Sequence, residues 1–304
     1  MAVDKKNIID ITDDESEFIK IDSEFSLLNN RFMALAMDYK HYIDSSIRDN
    51  KIYTLRDNIN YRLYSAKFHI ELLFNHIRNI EKNVENHTII RTPNQAPIIG
   101  YIPIYTQQIT SLFDSFIYHT VSVFDYIGTL ANYISGKKKE NTFMWTQLAK
   151  SVRDKNNIFS QTRFSNVIDE INREFVGKLY DHRALLIHRK ADLGGFTHTH
   201  SLGYQETVTT TFFAGKSVIK SFNQLKESSK QGDITLRYVA VWILNEVIKN
   251  ITDILFSMKE EIESKDTGKE PVMFYLHPET KEKLPISVNY WNEKLYKKKL
   301  KNGL

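Results

Sequence analysis

The sequence contains no cysteine, little glycine or proline, and no long uninterrupted apolar run. The absence of cysteine excludes disulfide bonds, thiolate zinc sites, iron–sulfur clusters and cysteine nucleophiles. Only 11 Gly and 6 Pro among 304 residues argue against collagen-like, low-complexity and turn-rich all-β chains. No apolar run reaches the roughly 18 residues of a membrane span, and the first twenty residues are acidic, unlike a secretory signal. We therefore expect a cytoplasmic protein with no membrane partner.

The common nucleotide-binding and hydrolase motifs are also missing. The chain has no GxxxxGK[ST], GxGxxG, HExxH or GxSxG pattern. Its net charge of +4 is weaker than that of a dedicated nucleic-acid coat protein. Hydrophobic residues, however, make up 41% of the chain and aromatic residues 12%, which is enough for a sizeable core. We predict a folded protein without a cofactor or a metal site.

Proline is confined to two short regions, 93–103 and 271–285, which leaves the remainder free for long helices. Thr54 and Asp57 resemble a capping box at the start of one such helix. Apolar residues that recur every three or four positions predict helices over residues 23–49, 54–84, 104–135, 143–153, 161–190, 216–228 and 233–265.

One segment favours β structure. Residues 205–213 are rich in Thr, Val and Phe, which suit a pleated surface, and they predict a hairpin with residues 196–201. His198 and His200 would share one strand face, but no third ligand lies nearby, so we interpret that face as polar and exposed. The tail over 270–290 is mixed and has room for short strands. The predicted fold is mainly α, an antiparallel bundle of long helices with a small β-hairpin insertion.

The positions of the prolines and of the predicted elements also predict the domain organisation. Residues 1–92 form an N-terminal helical region, 93–103 a connector, 104–265 a helical core with the β insertion near 196–213, and 266–304 a mixed tail. The pattern leaves open whether the N-terminal region is a separate lobe or part of the same bundle.

Arg183 and His188 are the strongest candidates for a functional site. On a helix, Arg183 lies in the middle of an apolar stripe and His188 beside it. Asp181 shares the face of His188 and could orient its ring. An arginine in such a stripe is unfavourable unless it pairs with a carboxylate or faces a ligand cavity.

The helix predicted over 104–135 offers partners for that arginine. Asp114 and Asp125 lie eleven residues apart on one face, and either could be the counter-ion of Arg183. We interpret His119, on the same helix, as a histidine of the core or its edge.

Arg183 and His188 resemble the motif of HEPN domains, in which four to six residues separate an arginine from a histidine. HEPN domains are compact helical bundles, and many are metal-independent endoribonucleases of toxin–antitoxin, abortive-infection and CRISPR-linked defence systems. The resemblance covers roughly residues 104–265 and implies a HEPN-like bundle that acts in bacterial stress or phage defence. Arg62 and His69 form a second match to the spacing, on one face of the second predicted helix.

The resemblance implies RNA cleavage in which a 2′-hydroxyl attacks the adjacent phosphate. His188 would move the proton near neutral pH, and Arg183 would hold the phosphate and stabilise its developing charge. HEPN ribonucleases pair two motifs across a dimer, so a homodimer with a composite site is implied, with an antitoxin protein as a possible partner. His182, Arg189 and Lys190 would add contacts to RNA, or would form a solvated basic face.

Ala184 keeps other hypotheses open, because a polar residue often follows the motif arginine in this family. One alternative is a catalytically inactive HEPN-like helical protein that binds a nucleotide, RNA or a protein partner. Another is a structural scaffold in which Arg183 forms a buried ion pair. An enzyme predicts that Arg183 and His188 lie within mutual reach in a basic cleft at a two-fold interface. A scaffold predicts that Arg183 is sealed against a carboxylate and that His188 faces open solvent.

Overall fold

The computed structural model describes residues 7–43, 51–89, 102–136, 142–188, 193–201, 207–265, 274–276, 281 and 283–291. The helices are α1 (Asp14–Tyr42), α2 (Lys51–Ile89), α3 (Ile102–Ile134), α4 (Trp145–Arg153), α5 (Ser165–Ile171), α6 (Gly177–His188), α7 (Lys216–Ser221), α8 (Asn223–Ser228), α9 (Leu236–Glu263) and α10 (Val288–Trp291). The strands are β1 (Ile8–Ile9), β2 (Leu193–Ser201), β3 (Thr207–Ala214), β4 (Asp233–Ile234), β5 (Phe274–Leu276) and β6 (Lys283–Pro285). The protein is therefore mainly helical with a small antiparallel sheet, as predicted. Of the helices in the described ranges, none has the length and apolarity to cross a membrane.

The long helices follow the apolar periodicity of the sequence, because side chains three and four positions apart share one face. Helix α1 buries such a row, composed of Ile21, Phe25, Leu28, Phe32, Leu35 and Tyr39. Helix α2 begins at Lys51, so the capping box predicted at Thr54 and Asp57 does not start it. Ile52 and Leu55 are buried, and their packing extends the helix to an earlier residue than the local cap indicated.

The helix predicted over 161–190 is confirmed over residues 165–188, although not as one regular α-helix. A 3-10 turn (Ile158–Gln161) precedes α5, and a π-helical turn (Asn172–Val176) separates α5 from α6. The indole Nε1 of Trp145 donates a hydrogen bond to Oδ1 of Asn172 over 2.9 Å at the start of that turn. A π-helical turn contains one extra residue compared with an α-helical turn. The faces of α5 and α6 are therefore not related by the regular period of a single α-helix.

The helix predicted over 216–228 is also interrupted. Phe222 has an extended backbone (φ −115°, ψ 124°) and ends α7. Its ring is buried, with its centroid 5.5 Å from that of Phe175 and 5.1 Å from that of Trp242. This aromatic packing stabilises the protein where the helix is broken. The periodicity of the local sequence does not predict the break.

The described residues divide into two compact units, to each of which α2, α3 and α9 contribute one end. The first unit is drawn from residues 1–14, 63–121 and 174–244, and the second from 15–62, 122–173 and 245–304.

The first unit contains a parallel strand pair that the sequence did not predict. Ile8 of β1 lies opposite Asp233 of β4, and the amide of Asp233 donates to the carbonyl oxygen of Asn7 over 2.8 Å. Because β4 occupies this position, α9 begins at Leu236 rather than at the predicted residue 233. A Cβ atom on Gly232 would lie 2.2 Å from the Asn7 oxygen, so the close approach requires glycine.

Ion pairs hold the N-terminal segment of the first unit in place. Arg237 on α9 bonds to the carboxylate of Asp10, and its Nη1 lies 3.4 Å from Oδ2 of Asp14. Arg78 on α2 reaches the same Asp14 oxygen at 2.8 Å. The Arg237 contacts join residues more than 200 positions apart in the sequence, whereas Arg78 and Asp14 are 64 positions apart.

The predicted hairpin is confirmed as β2 and β3, which pair antiparallel in the first unit. Thr197 lies opposite Thr211, and the register shifts between Leu193 and Gly195. Gly195 adopts a φ of +108°, a conformation that residues with a side chain rarely adopt. The side chains of His198 and His200 lie outside the described part of the chain. Short antiparallel strands, β5 and β6, confirm the mixed character predicted for 270–290.

A buried carboxylate anchors the C-terminal part of the second unit. Asp38 on α1 is 2% exposed, and its Oδ2 accepts a hydrogen bond from the Trp291 indole over 2.7 Å. Burial raises the pKa of Asp38 to about 6, while hydrogen bonds from Ser287 and Trp291 oppose this shift.

Candidate functional site

A cavity of about 830 Å³ lies between α3 and α6 within the first unit. Helix α6 contributes Arg183, Leu186 and Ile187 to its wall. Helix α3 contributes a mainly polar wall that includes Gln107, Thr110, Ser111, Asp114, Ser115, Tyr118 and His119. The cavity therefore combines one cation with hydroxyl, carboxylate, phenol and imidazole groups.

The amphipathic pattern of α3 explains why these polar groups converge. Ser111, Asp114, Ser115 and Tyr118 recur three and four positions apart, so they lie along one face of the helix. The opposite side of α3 carries buried residues such as Phe116. Burial of the apolar face thus fixes the rotation of the helix and directs its polar face into the cavity.

Two hydroxyls of this wall are oriented by the helix itself. The Thr110 hydroxyl donates to the carbonyl oxygen of Thr106 over 2.7 Å, and that of Ser115 donates to the carbonyl oxygen of Ser111 over 2.8 Å. A hydroxyl that has given its proton to the backbone keeps its lone pairs for a ligand. The α3 wall thus offers acceptors, which suit the hydroxyls of a sugar.

Arg183 supplies the positive charge of the cavity. Its guanidinium carbon lies 5.3 Å from the ring centroid of Tyr118, a distance typical of a cation–π contact. Its Nε is buried and has no hydrogen-bond partner among the described residues, and within the same residues Arg183 forms no ion pair. Asp114 lines the same cavity.

His119 of the cavity wall packs against a histidine of another helix. The ring centroids of His69 on α2 and His119 on α3 are 4.9 Å apart, and the rings are tilted by 31°. Nδ1 of His69 lies 2.7 Å from the carbonyl oxygen of Ser65. Because a carbonyl oxygen only accepts, Nδ1 of His69 carries the hydrogen. Both side chains are half-buried.

Exposed aromatic rings flank the two histidines. The Phe68 ring centroid lies 5.7 Å from that of His69, and the Tyr118 centroid lies 5.5 Å from that of His119. Phe68 is 54% exposed and Tyr118 45%. Exposed rings beside a polar cavity provide stacking surfaces for flat ligand groups such as nucleobases.

The predicted site residues of α6 have different environments. Arg183 lines the cavity, whereas His182 is completely buried, with its ring centroid 6.5 Å from that of Phe113. His182 therefore belongs to the core and does not line the cavity. Asp181 is exposed. His188 is the last residue of α6, but its side chain lies outside the described part of the chain.

The remaining predicted residues have different positions. Arg189 and Lys190 lie outside the described residues. Asp125 belongs to the second unit, where its Oδ1 accepts a hydrogen bond from the Trp145 amide over 3.2 Å. That amide belongs to the first turn of α4 and has no partner within its helix, so Asp125 stabilises the start of α4.

Part of this wall consists of residues that the sequence did not single out. His119, which the sequence indicates to be a histidine of the core or its edge, is half-buried and lines the cavity. Tyr118, Thr110 and Ser115 were not considered. Their common spacing on the polar face of α3 was visible in the sequence, but nothing in that spacing indicates which helix faces it.

Among the described residues, no group of three or more histidine, aspartate or glutamate side chains is arranged to hold a metal ion. No family model matches the chain, and neither a curated protein nor a solved structure matches it.

Proposed function

We propose that this protein is a metal-independent endoribonuclease of the HEPN type. The observation that carries the proposal is the position of Arg183, which faces a polar cavity with no carboxylate partner among the described residues. A guanidinium in such a position is suited to bind a phosphate through two parallel hydrogen bonds. It would stabilise the charge that develops on that phosphate during cleavage.

The two walls of the cavity suit the two parts of a nucleotide. Arg183 on α6 offers hydrogen-bond donors to a phosphate, whereas Thr110 and Ser115 on α3 offer acceptors to ribose hydroxyls. His188 follows Arg183 by five positions and would transfer protons. In the proposed assembly two copies of the chain form a homodimer whose two motifs share one site. Bacterial stress or phage defence, with an antitoxin protein as partner, is the setting we propose.

Cleavage of RNA in the presence of EDTA tests this function. We expect the wild type to produce ends with 2′,3′-cyclic phosphate, and Arg183→Ala to lower kcat/KM by about 10²- to 10³-fold, the effect typical of removing one group that stabilises transition-state charge. His188→Ala should also lose activity. Arg153→Ala, which removes an exposed arginine of the second unit, is the matched control and should retain activity.

Three results would contradict the proposal. One is the absence of cleavage of several RNAs by folded dimeric wild type. Another is equal cleavage by wild type and Arg183→Ala, which would indicate a contaminating nuclease or a site formed by Arg62 and His69. The third is cleavage that EDTA abolishes and Mg²⁺ restores.

A second candidate function is binding without cleavage. The acceptor-rich wall and the exposed position of Ala184 are compatible with a HEPN-like protein that holds a nucleotide in the cavity. Titration with mononucleotides and with short RNAs distinguishes the two functions. Binding that Arg183→Ala weakens about tenfold or more, with no cleavage by the wild type, would favour the binding protein.

A further inference from the structure

Cleavage of RNA by a 2′-hydroxyl requires two proton transfers, one from the attacking hydroxyl and one to the leaving oxygen. Each chain contributes a single motif histidine, His188, to the proposed composite site, so within one chain the motif alone accounts for one of the two transfers. We propose that His119 is a second catalytic histidine, the general base, and that it acts in the same chain as Arg183. This inference depends on the proposed ribonuclease function and adds a residue to its site.

The position of His119 supports this role. His119 and Arg183 line the same cavity from α3 and α6. The acceptor hydroxyls of Thr110 and Ser115 belong to the α3 wall, so a nucleotide whose phosphate contacts Arg183 has its ribose toward α3. The attacking 2′-hydroxyl is then on the side of the cavity that carries His119.

His69 is a positioning residue for His119. The hydrogen bond from its Nδ1 to the Ser65 carbonyl oxygen fixes the orientation of the His69 ring on α2. Its centroid lies 4.9 Å from that of His119, and Tyr118 contacts His119 from another direction. Packing on two sides restricts the rotamers of His119, as a catalytic base requires.

In the proposed step, His119 and His188 each transfer one proton. A ring nitrogen of His119 takes the proton of the 2′-hydroxyl while the 2′ oxygen forms a bond to phosphorus. The bond from phosphorus to the 5′ oxygen breaks, and that oxygen takes a proton from His188. The products are a 2′,3′-cyclic phosphate and a 5′-hydroxyl, and no electrons are gained or lost.

The test compares His119→Ala with His76→Ala in the EDTA cleavage assay. His76 is an exposed histidine of α2 that is hydrogen-bonded to Gln108 over 2.8 Å and does not line the cavity. We expect His119→Ala to lower kcat by about 10²-fold or more with little change in KM, and His76→Ala to retain the wild-type kcat. His119→Gln, which preserves more of the packing, should show the same loss.

Two further measurements separate chemistry from structure. Added imidazole should restore part of the activity of His119→Ala, and the rescue should follow the fraction of neutral imidazole as pH changes. In the wild type, activity should fall on the acidic side of the pH profile as the base becomes protonated. The variant should lack this fall. The titratable and charged groups that face His119 or share its cavity are His69, Asp114, Tyr118 and Arg183, and all four are present in both the wild type and the variant.

A substrate with a 5′-sulfur leaving group identifies the role, because sulfur leaves without needing an acid. If His119 is the base, this substrate should not restore the kcat of His119→Ala. Removal of the defect by this substrate would make His119 the acid and overturn the assignment as base. Unchanged kcat, or a defect confined to KM, would overturn the catalytic role while leaving the ribonuclease proposal intact. Only a wild type that fails to cleave RNA would refute both.

Discussion

The buried carboxylate of Asp38 makes the stability of the second unit depend on pH. In the folded protein its pKa is raised to about 6, mainly because burial removes water from the charged form. In the unfolded chain the group returns to its ordinary value of 3.8. The folded state therefore binds the proton more tightly. Protonation contributes stability that is fully present below about pH 3.8 and is lost as pH rises through about 6.

The size of this contribution follows from the two pKa values. The difference between about 6 and 3.8 corresponds to about 3 kcal/mol in the free energy of unfolding. Between about pH 7.5 and pH 4.5, about 2 kcal/mol of it should be measurable. Asp38→Asn removes the titration and keeps an oxygen that can accept the Trp291 hydrogen bond.

Urea denaturation of wild type and Asp38→Asn at several pH values measures the effect. The unfolding free energy of Asp38→Asn minus that of wild type should be about 2 kcal/mol larger at pH 7.5 than at pH 4.5. Asp22→Asn, at an exposed position of α1, is the matched control. A difference between wild type and Asp38→Asn that stays constant across this pH range would refute the reasoning from burial.

Two predictions concern the N-terminal segment of the first unit. Gly232→Ala should destabilise the protein by about 1–3 kcal/mol, because its Cβ would lie 2.2 Å from the Asn7 oxygen. Hydrogen exchange at the Asp233 amide should become faster, and unchanged exchange would contradict this prediction. Arg237→Met should cost about 2 kcal/mol in thermal or urea unfolding, since it leaves the partly buried Asp10 without its arginine. Adding Asp10→Asn should recover part of that loss, and strict additivity of the two changes would contradict the coupling.

Several features of the fold were predictable from local patterns. The rows of apolar residues in α1 and α3 set which face is buried, so the existence of these helices could be predicted. The β-branched run that forms β3 was equally clear. The two-residue strands β1 and β4 are too short for any periodicity, and their pairing joins Ile8 to Asp233. Such a contact leaves no pattern in either segment.

The candidate site was predictable only in part. Arg183 stood out because a charge in an apolar stripe needs a ligand or a carboxylate, and its place in the cavity matches one of those two alternatives. His119 could not be selected in the same way. Its partner in the stack is His69, fifty positions earlier and on another helix, and a contact between helices depends on how each is rotated and placed.

The sequence by itself determined that the protein is mainly helical, where most helices lie and which face of each is apolar, because these properties arise from spacings of three and four along the chain. Only the tertiary structure decided that Arg183 faces the polar wall of α3 rather than the carboxylate of Asp125, and that His69 packs on His119. The physical reason is that burial of the apolar faces fixes helix rotation, and rotation determines which polar side chains meet in a shared cavity.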